Sequence, residues 1–331
     1  MPHVVDKLKL IFIPKKRRGD SSGSKYIAIY HGVTRLYAKK YNVEKTKMIA
    51  KIARAKNARL LILPPYFNTG PVLEYSDNAM RRYVNRLFEQ VSDSSIRAMK
   101  NTALSEDIDV FITSFLEKSG AYYYISSMLI DREGVIVDKY RKIVLTDVES
   151  SYGVHSGRSP GLFVSSRMKI GVLIENEVFV PELARVLSIS GVDLLITSLN
   201  PLDYSHKMIS TIGRARAIEN GLHHILVGSI VEFHNKVVCS APTIIYDYDG
   251  NIVFEYNSIE PAIIFIEQDY LLKKINPPID PVDSVIIHRI ISKYYKRIYK
   301  EFYERYLEKK SFGQSDKTSS SRFETEPVHH L

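Results

Sequence analysis

A lysine and several glutamates stand where they could take part in a reaction. Lys142 follows a predicted strand, and Glu149 comes shortly after it. Glu175 and Glu177 come directly after a second predicted strand, from about Lys169 to Ile174. In α/β proteins the carboxyl ends of strands usually carry the chemistry. A carboxylate there can act as a base toward water while an ammonium group polarises a carbonyl oxygen.

The stretch around Glu175 resembles a known hydrolase segment. Residues 169–185 read KIGVLIENEVFVPELAR. This pattern is similar to the nucleophile segment of the carbon-nitrogen hydrolase (nitrilase) superfamily, in which the attacking cysteine follows the last strand residue. Here Glu175 stands at the cysteine position, and Glu177 stands at the position of the family's next aspartate.

Two further segments extend the resemblance. Residues 138–145, DKYRKIVL, resemble the family's lysine motif, which implies that Lys142 takes the place of the catalytic lysine. Glu149 matches a second acidic position downstream. A later helix resembles the family's RA-x-EN motif, with pocket-supporting residues at Arg216, Glu219 and Asn220.

The segment that supplies the family's general base is altered. Residues 61–70, LILPPYFNTG, resemble the strand that normally ends in Pro-Glu. This chain has Pro65 at the glutamate position, and a pyrrolidine ring accepts no proton. With motifs in the family's order from about Tyr26 to Tyr270, the chain is identified as a degenerate member that lacks both the cysteine and the base.

These changes bear directly on activity. Cleavage of an amide or nitrile bond needs a strong nucleophile, a base and a cation for the developing negative charge. A carboxylate is a much weaker nucleophile than a thiolate, so the family's covalent route is closed. If the fold keeps the family's distances, Lys142 and Glu175 pair inside the cavity. The sequence therefore predicts a nitrilase-like binding or oligomeric scaffold, a pseudoenzyme.

Two alternatives remain open. In the first, Glu175 is a base for direct attack by water on an amide or ester, with Lys142 polarising the carbonyl and Glu149 or Glu177 assisting. In the second, the chain is associated with nucleic acid through basic termini. The single cysteine, Cys239, lies on a different predicted strand and is interpreted as a small buried residue.

Composition sets broader limits. The chain has 331 residues, a formal net charge of +9 and a pI near 9.3. One cysteine allows no internal disulfide, and no apolar run reaches the roughly 20 residues of a membrane span. We therefore expect a cytoplasmic protein. No metal-ligand cluster or phosphate-binding glycine loop is present in the sequence, so no cofactor is expected.

The elements that position these residues alternate between strands and helices. A helix is predicted from about Ala79 to Val91, the turn Asp131-Arg132-Glu133-Gly134 predicts a β-hairpin, and residues 146–160 form a polar, turn-rich connection. The resemblance implies a four-layer α-β-β-α sandwich and a homo-oligomer, a dimer or higher. The predicted organisation is a basic N-terminal extension over residues 1–24, a nitrilase-like domain over 25–276, a linker and basic amphipathic helix over 277–310, and a disordered tail over 311–331. Basic residues cluster at Lys15 to Arg18 and along the terminal helix.

Overall fold

The computed structural model describes residues 8–13, 25–76, 80–165, 168–201, 206–272, 275 and 277–315. The chain divides into two compact units between Pro278 and Ile279. The basic cluster at Lys15 to Arg18 and the predicted tail beyond residue 315 lie outside the described residues.

The strands of the first unit form three sheets. In chain order they are β1 (Lys9–Ile13), β2 (Tyr26–His31), β3 (Val33–Arg35), β4 (Ala58–Ile62), β5 (Asp109–Ser119), β6 (Tyr122–Ile130), β7 (Ile136–Arg141), β8 (Gly161–Val164), β9 (Lys169–Ile174), β10 (Leu194–Ser198), β11 (His223–Val227), β12 (Ile230–Phe233), β13 (Lys236–Ser240), β14 (Thr243–Tyr246), β15 (Ile252–Tyr256) and β16 (Ala262–Glu267).

The helices differ greatly in length. In chain order they are α1 (Lys39–Ala55), α2 (Val72–Tyr75), α3 (Arg81–Asn85), α4 (Ser94–Glu106), α5 (Asp147–Ser151), α6 (Pro181–Ile189), α7 (His206–Asn220), α8 (Gln268–Leu271) and α9 (Pro281–Ser315). A 3-10 helix, Glu175–Phe179, follows β9 directly.

The two larger sheets pack face to face. The seven-stranded sheet has the order β1-β16-β2-β4-β5-β6-β7, and the six-stranded sheet has the order β15-β14-β11-β10-β9-β8. Side chains from both sheets, including Ile29, Ile62, Val172 and Ile196, share one apolar core. Alternate residues face outward, where α1 and α4 cover the first sheet and α6 and α7 cover the second. The predicted four-layer α-β-β-α sandwich is therefore confirmed.

The N-terminal segment contributes a strand that the sequence analysis did not separate from the extension over 1–24. β1 pairs in parallel with β16 along its whole length, from Lys9 opposite Ala262 to Ile13 opposite Ile266. The short apolar run before Pro14 is thus an outer strand of the first sheet.

The sequence pattern also suggested a helix from about Ala79 to Val91, but α3 ends at Asn85. Beyond it the backbone turns to bond β5, with Glu89 N–H donating to Leu116 O at 2.9 Å. Leu87 and Phe88 are buried in the core. The apolar residues here therefore recur at helix-like intervals because a bent segment buries them, although the segment is not helical. The helical interpretation was wrong beyond Asn85.

The second unit is the long helix α9 with the residues that lead into it. It begins at Pro281 and continues to Ser315, beyond the boundary predicted at residue 310. The apolar stripe expected on it is exposed at Ile287, Ile290, Tyr294 and Ile298. The sequence pattern predicted the helix, but not its full length.

Candidate functional site

Lys142 lies directly after β7, on the inner side of the first sheet. Alternation along the strand turns Tyr140 toward the core between the sheets, Arg141 toward the outer face and Lys142 inward again. The Lys142 N–H donates to Ile125 O at 2.8 Å, which keeps the residue paired to β6. Its side chain is completely buried.

The Lys142 ammonium bonds two carboxylates. Its Nζ lies 2.6 Å from Glu175 Oε2 and 2.5 Å from Glu149 Oε1. The ion pair between Lys142 and Glu175 predicted from the sequence is confirmed. Glu149 is fully buried and Glu175 is 2% exposed, so we call these three residues the inner cluster.

Glu149 is held by a capping box at the start of α5. The Thr146 N–H donates to Glu149 Oε2 at 2.7 Å, and the Glu149 N–H donates to Thr146 Oγ1 at 3.2 Å. The pattern Thr-x-x-Glu is the usual sequence signal for this cap. The sequence analysis treated residues 146–160 as a turn-rich connection, and this signal would have placed both α5 and the fixed carboxylate.

Glu175 occupies a sharp backbone turn at the end of β9. Its φ is +55°, in the left-handed region that costs a non-glycine residue roughly 1–2 kcal/mol. Tyr66, directly after Pro65, has φ +47° and is also completely buried. Left-handed backbone thus occurs at the residue in the nucleophile position and at the residue that directly follows the base position, and such strain is often found at functional sites.

Glu177 fixes the loops around the inner cluster. Its carboxylate accepts hydrogen bonds from the Tyr140 hydroxyl at 2.7 Å and from the N–H groups of Ile143 at 2.7 Å and Ile174 at 2.8 Å. Burial raises the pKa of Glu177, although these donors oppose the shift. With its oxygens engaged in this way, Glu177 joins β7 to the turn after β9.

Burial and charge act on the inner cluster in opposite directions. Burial alone would lower the pKa of Lys142, but the negative charges of Glu175 and Glu149 outweigh it and raise that pKa above its ordinary value. Burial and then the charge of Glu175 raise the pKa of Glu149 to about 7, although Lys142 opposes the shift. The cluster therefore keeps its ammonium and carries a glutamate that binds a proton readily.

The predicted pocket-supporting residues of α7 lie behind the turn that carries Glu175. Arg216 Nε donates to Val178 O at 2.8 Å, and its Nη1 pairs with Glu219 Oε1 at 2.5 Å. Asn220 Nδ2 donates to Arg216 O at 2.9 Å. These contacts attach α7 to the 3-10 helix.

Three neighbouring strands end in buried polar atoms. Ser198 Oγ and Ser229 Oγ have no hydrogen-bond partner within the described parts of the chain. The Glu175 carboxylate lies beside the buried Tyr66 hydroxyl, whose pKa is raised by burial and then by the charge of Glu175. Ser198 pairs with Ile174 in the sheet, and Ser229 follows β11. Because buried polar atoms are nearly always satisfied, these strand ends favour a small polar occupant.

Cys239 lies in another sheet. It is half-buried on β13, accepts a hydrogen bond from the Tyr75 hydroxyl at 3.4 Å, and has its pKa raised by burial. Over the residues that the structure covers, no group of three or more His, Cys, Asp or Glu is placed to hold a metal ion. Within the same residues, no helix combines the length and apolar character of a membrane span.

Comparison with known proteins agrees with this architecture. Residues 27–269 match the carbon-nitrogen hydrolase family model, and the chain belongs to that family. It is 27% identical over 193 residues to a nitrilase of Pyrococcus abyssi, covering 58% of this chain and 70% of that protein. It is 24% identical over 229 residues to an omega-amidase of Saccharomyces cerevisiae, covering 64% of this chain and 75% of that protein.

Solved structures show the same fold. An amidase of Nesterenkonia sp. AN1, in a variant with acrylamide added to its active site cysteine, superposes with a TM-score of 0.64 at 19% identity. The match covers 75% of this chain and 95% of the amidase. At this identity the likeness establishes the nitrilase fold.

Proposed function

We propose that this protein is a carbon-nitrogen hydrolase family member whose former reaction centre is a closed ion-paired cluster, and that it acts as a binding or oligomeric scaffold without covalent carbon-nitrogen hydrolysis. The observation that carries the proposal is the pairing of the buried Lys142 ammonium with both Glu175 and Glu149. This arrangement commits the cation to the protein's own carboxylates.

The chemistry at position 175 supports this proposal. An acyl intermediate on Glu175 would be a mixed anhydride, and a carboxylate attacks an amide far more weakly than a thiolate does. Pro65 provides no acceptor for a proton on the opposite side. The chain therefore lacks two of the three groups that the family's reaction requires, the nucleophilic thiol and the base.

The burial of the cluster supports the same conclusion. A substrate carbonyl would have to replace a carboxylate on Lys142 to be polarised by it. Separating a buried ion pair costs about 3–5 kcal/mol when one partner is left uncompensated. The unpartnered Ser198 and Ser229 hydroxyls within the described region instead favour a small polar ligand that binds beside the cluster.

A second candidate is a hydrolase that uses Glu175 or Glu149 as a base and Lys142 as the electrophile. The relatives named above are a nitrilase and amidases, so the comparisons by themselves favour a hydrolase over a scaffold. The pKa of about 7 for Glu149 suits a general base at neutral pH. This candidate needs water and a substrate to reach residues that are at most 2% exposed.

Amide turnover distinguishes the two candidates. We expect no release of ammonia from acetamide or propionamide above the rate of a Glu175→Gln variant. Glu133→Gln, an exposed glutamate in the hairpin between β6 and β7, is the matched control. Turnover that persists in Glu133→Gln and disappears in Glu175→Gln would overturn the scaffold proposal and establish the hydrolase.

Introducing a cysteine at position 175 and a glutamate at position 65 tests whether these two replacements close the covalent route. We expect Glu175→Cys alone to react slowly with acrylamide, because no base is present, and Glu175→Cys combined with Pro65→Glu to react faster. Mass spectrometry locates the adduct, with Cys239→Ser in every background to remove the native thiol. An acrylamide adduct on Glu175 in the protein that carries Cys239→Ser alone would contradict the proposal.

The homo-oligomer and the nucleic-acid partner are separate predictions. Light scattering measures the oligomer directly. The nucleic-acid hypothesis rests on sequence alone, and it requires steeply salt-dependent binding that falls when Lys15 to Arg18 are neutralised.

A further inference from the structure

The outer face of β6 and β7 carries a cavity, on the side of the sheet opposite the inner cluster. Its volume is about 690 Å³, within the range of small-molecule sites. Its walls are formed by Tyr122 and Tyr124 of β6, Lys139 and Arg141 of β7, and the loop over 155–160. We call it the outer cavity.

A buried carboxylate positions two cations in this wall. Glu117 Oε2 accepts from Arg141 Nε at 3.0 Å, and Glu117 Oε1 accepts from Arg141 Nη2 at 2.8 Å and also from Lys139 Nζ. Two cations share one anion, so the group retains a positive charge. The Arg141 guanidinium also lies 3.8 Å from the Tyr124 ring centroid, which fixes its plane.

The loop over 155–160 is attached closely to these strands. His155 N–H donates to Tyr123 O at 2.8 Å, and Gly157 N–H donates to Lys142 O at 2.7 Å. A Cβ on Gly157 would lie 2.0 Å from the Arg141 carbonyl oxygen, so only glycine permits this approach. The loop therefore brings Arg158 to the same cavity as Arg141.

The cavity places positive charge beside an aromatic surface. Arg158 is exposed, and it has no ion-pair partner in the part of the chain that the structure describes. Tyr122 is 53% exposed and meets the His155 ring edge-on at 4.8 Å. A guanidinium binds phosphate oxygens with charge-assisted hydrogen bonds, and an exposed tyrosine ring can stack on a nucleobase.

We propose that the outer cavity binds a nucleoside phosphate, with the phosphate contacting Arg141 and Arg158 and the base packing on Tyr122. Inorganic phosphate satisfies only the cationic part of this site, and a nucleoside satisfies only the aromatic part. The site does not use the inner cluster, so it is independent of the function proposed for Lys142.

Calorimetric titration with adenosine monophosphate, inorganic phosphate and adenosine tests the proposal. We expect the nucleotide to bind roughly tenfold or more tightly than either fragment, because it alone uses both the cationic and the aromatic part of the cavity. Phosphate that binds as tightly as the nucleotide, or a nucleotide that does not bind at millimolar concentration, would overturn it.

Variants locate the binding. Arg158→Gln is expected to weaken nucleotide binding roughly tenfold or more through loss of a charge-assisted bond. Tyr122→Ala is expected to reduce nucleotide affinity to that of inorganic phosphate. Arg97→Gln on α4 removes an equal charge from another exposed surface and is expected to leave binding unchanged. Equal weakening by Arg97→Gln and Arg158→Gln would show general charge attraction and overturn the proposed site.

Discussion

Two neighbouring cations on one strand end have opposite surroundings. Lys142 points inward and has two carboxylates for one ammonium, whereas Arg141 points outward and shares one carboxylate with Lys139. The inner cluster thus has two carboxylates for one cation, and all three side chains are buried. The group around Glu117 carries excess positive charge beside an open cavity.

This difference shows that charge balance, more than residue type, decides which cation is available to a ligand. Lysine, arginine and glutamate occur on both sides of the sheet. A cation whose charge is already compensated by two buried carboxylates has little affinity left for a substrate oxygen. A cation that competes for a single carboxylate keeps attraction for an added anion.

The largest expected effect concerns Lys142→Met. It would leave Glu149 and Glu175 buried without a cation, and we expect a loss of about 3–5 kcal/mol in the free energy of unfolding. Urea denaturation measures the loss. Lys139→Met, on the same strand and the opposite face, leaves Glu117 paired with Arg141 and is expected to cost much less. Equal losses for the two variants would break the comparison.

The second effect concerns the wall of the outer cavity. Gly157→Ala would force its Cβ against the Arg141 carbonyl oxygen, and overpacking of this kind costs about 1–3 kcal/mol. We expect weaker nucleotide binding together with reduced stability. Ser159→Ala, in the same exposed loop, is expected to change neither by much. Unaltered binding in Gly157→Ala would show that the loop does not form the site.

The third effect is the pH dependence of stability that Glu149 of the inner cluster contributes. The raised pKa of Glu149, about 7 in the folded chain against 4.5 for the ordinary side chain, gives stability that is complete below pH 4.5 and is lost as pH rises through 7. Glu149→Gln removes this loss. Between pH 4.5 and 6.5, the slope of unfolding free energy against pH should therefore be more positive in the variant than in the unsubstituted protein, by about 1.4 kcal/mol per pH unit. An unchanged slope would show that Glu149 titrates normally.

The fourth effect has the opposite sign. Burial lowers the pKa of His31 to about 4 from 6.5, so its contribution is present above pH 6.5 and is lost as pH falls through 4. His31→Gln should flatten the rise in stability over this interval by at most about 1.4 kcal/mol per pH unit. His234→Gln, which replaces an exposed histidine, is the matched control for the substitution.

Much of the site's framework could be predicted from sequence because its signals are local. The run from Lys169 to Ile174 predicted β9, and it placed Glu175 correctly at the strand's carboxyl end. The Asp-Arg-Glu-Gly turn predicted the hairpin of β6 and β7, with Gly134 at φ +76°. The same reasoning failed at residues 86–91. Their apolar residues are spaced as in a helix, but the segment is bent and forms backbone hydrogen bonds with β5.

The sequence by itself determined which side chains stand at positions 175 and 65. Residue 175 has no sulfur and residue 65 has no carboxylate, and no folding can supply either. Only the tertiary structure decided that Lys142 meets both Glu149 and Glu175, and that Glu117 gathers Lys139 and Arg141 on the other face. Residue identity and local pattern can be read directly from the sequence. Distances between side chains on separate strands depend instead on how the strands pair and the sheets pack.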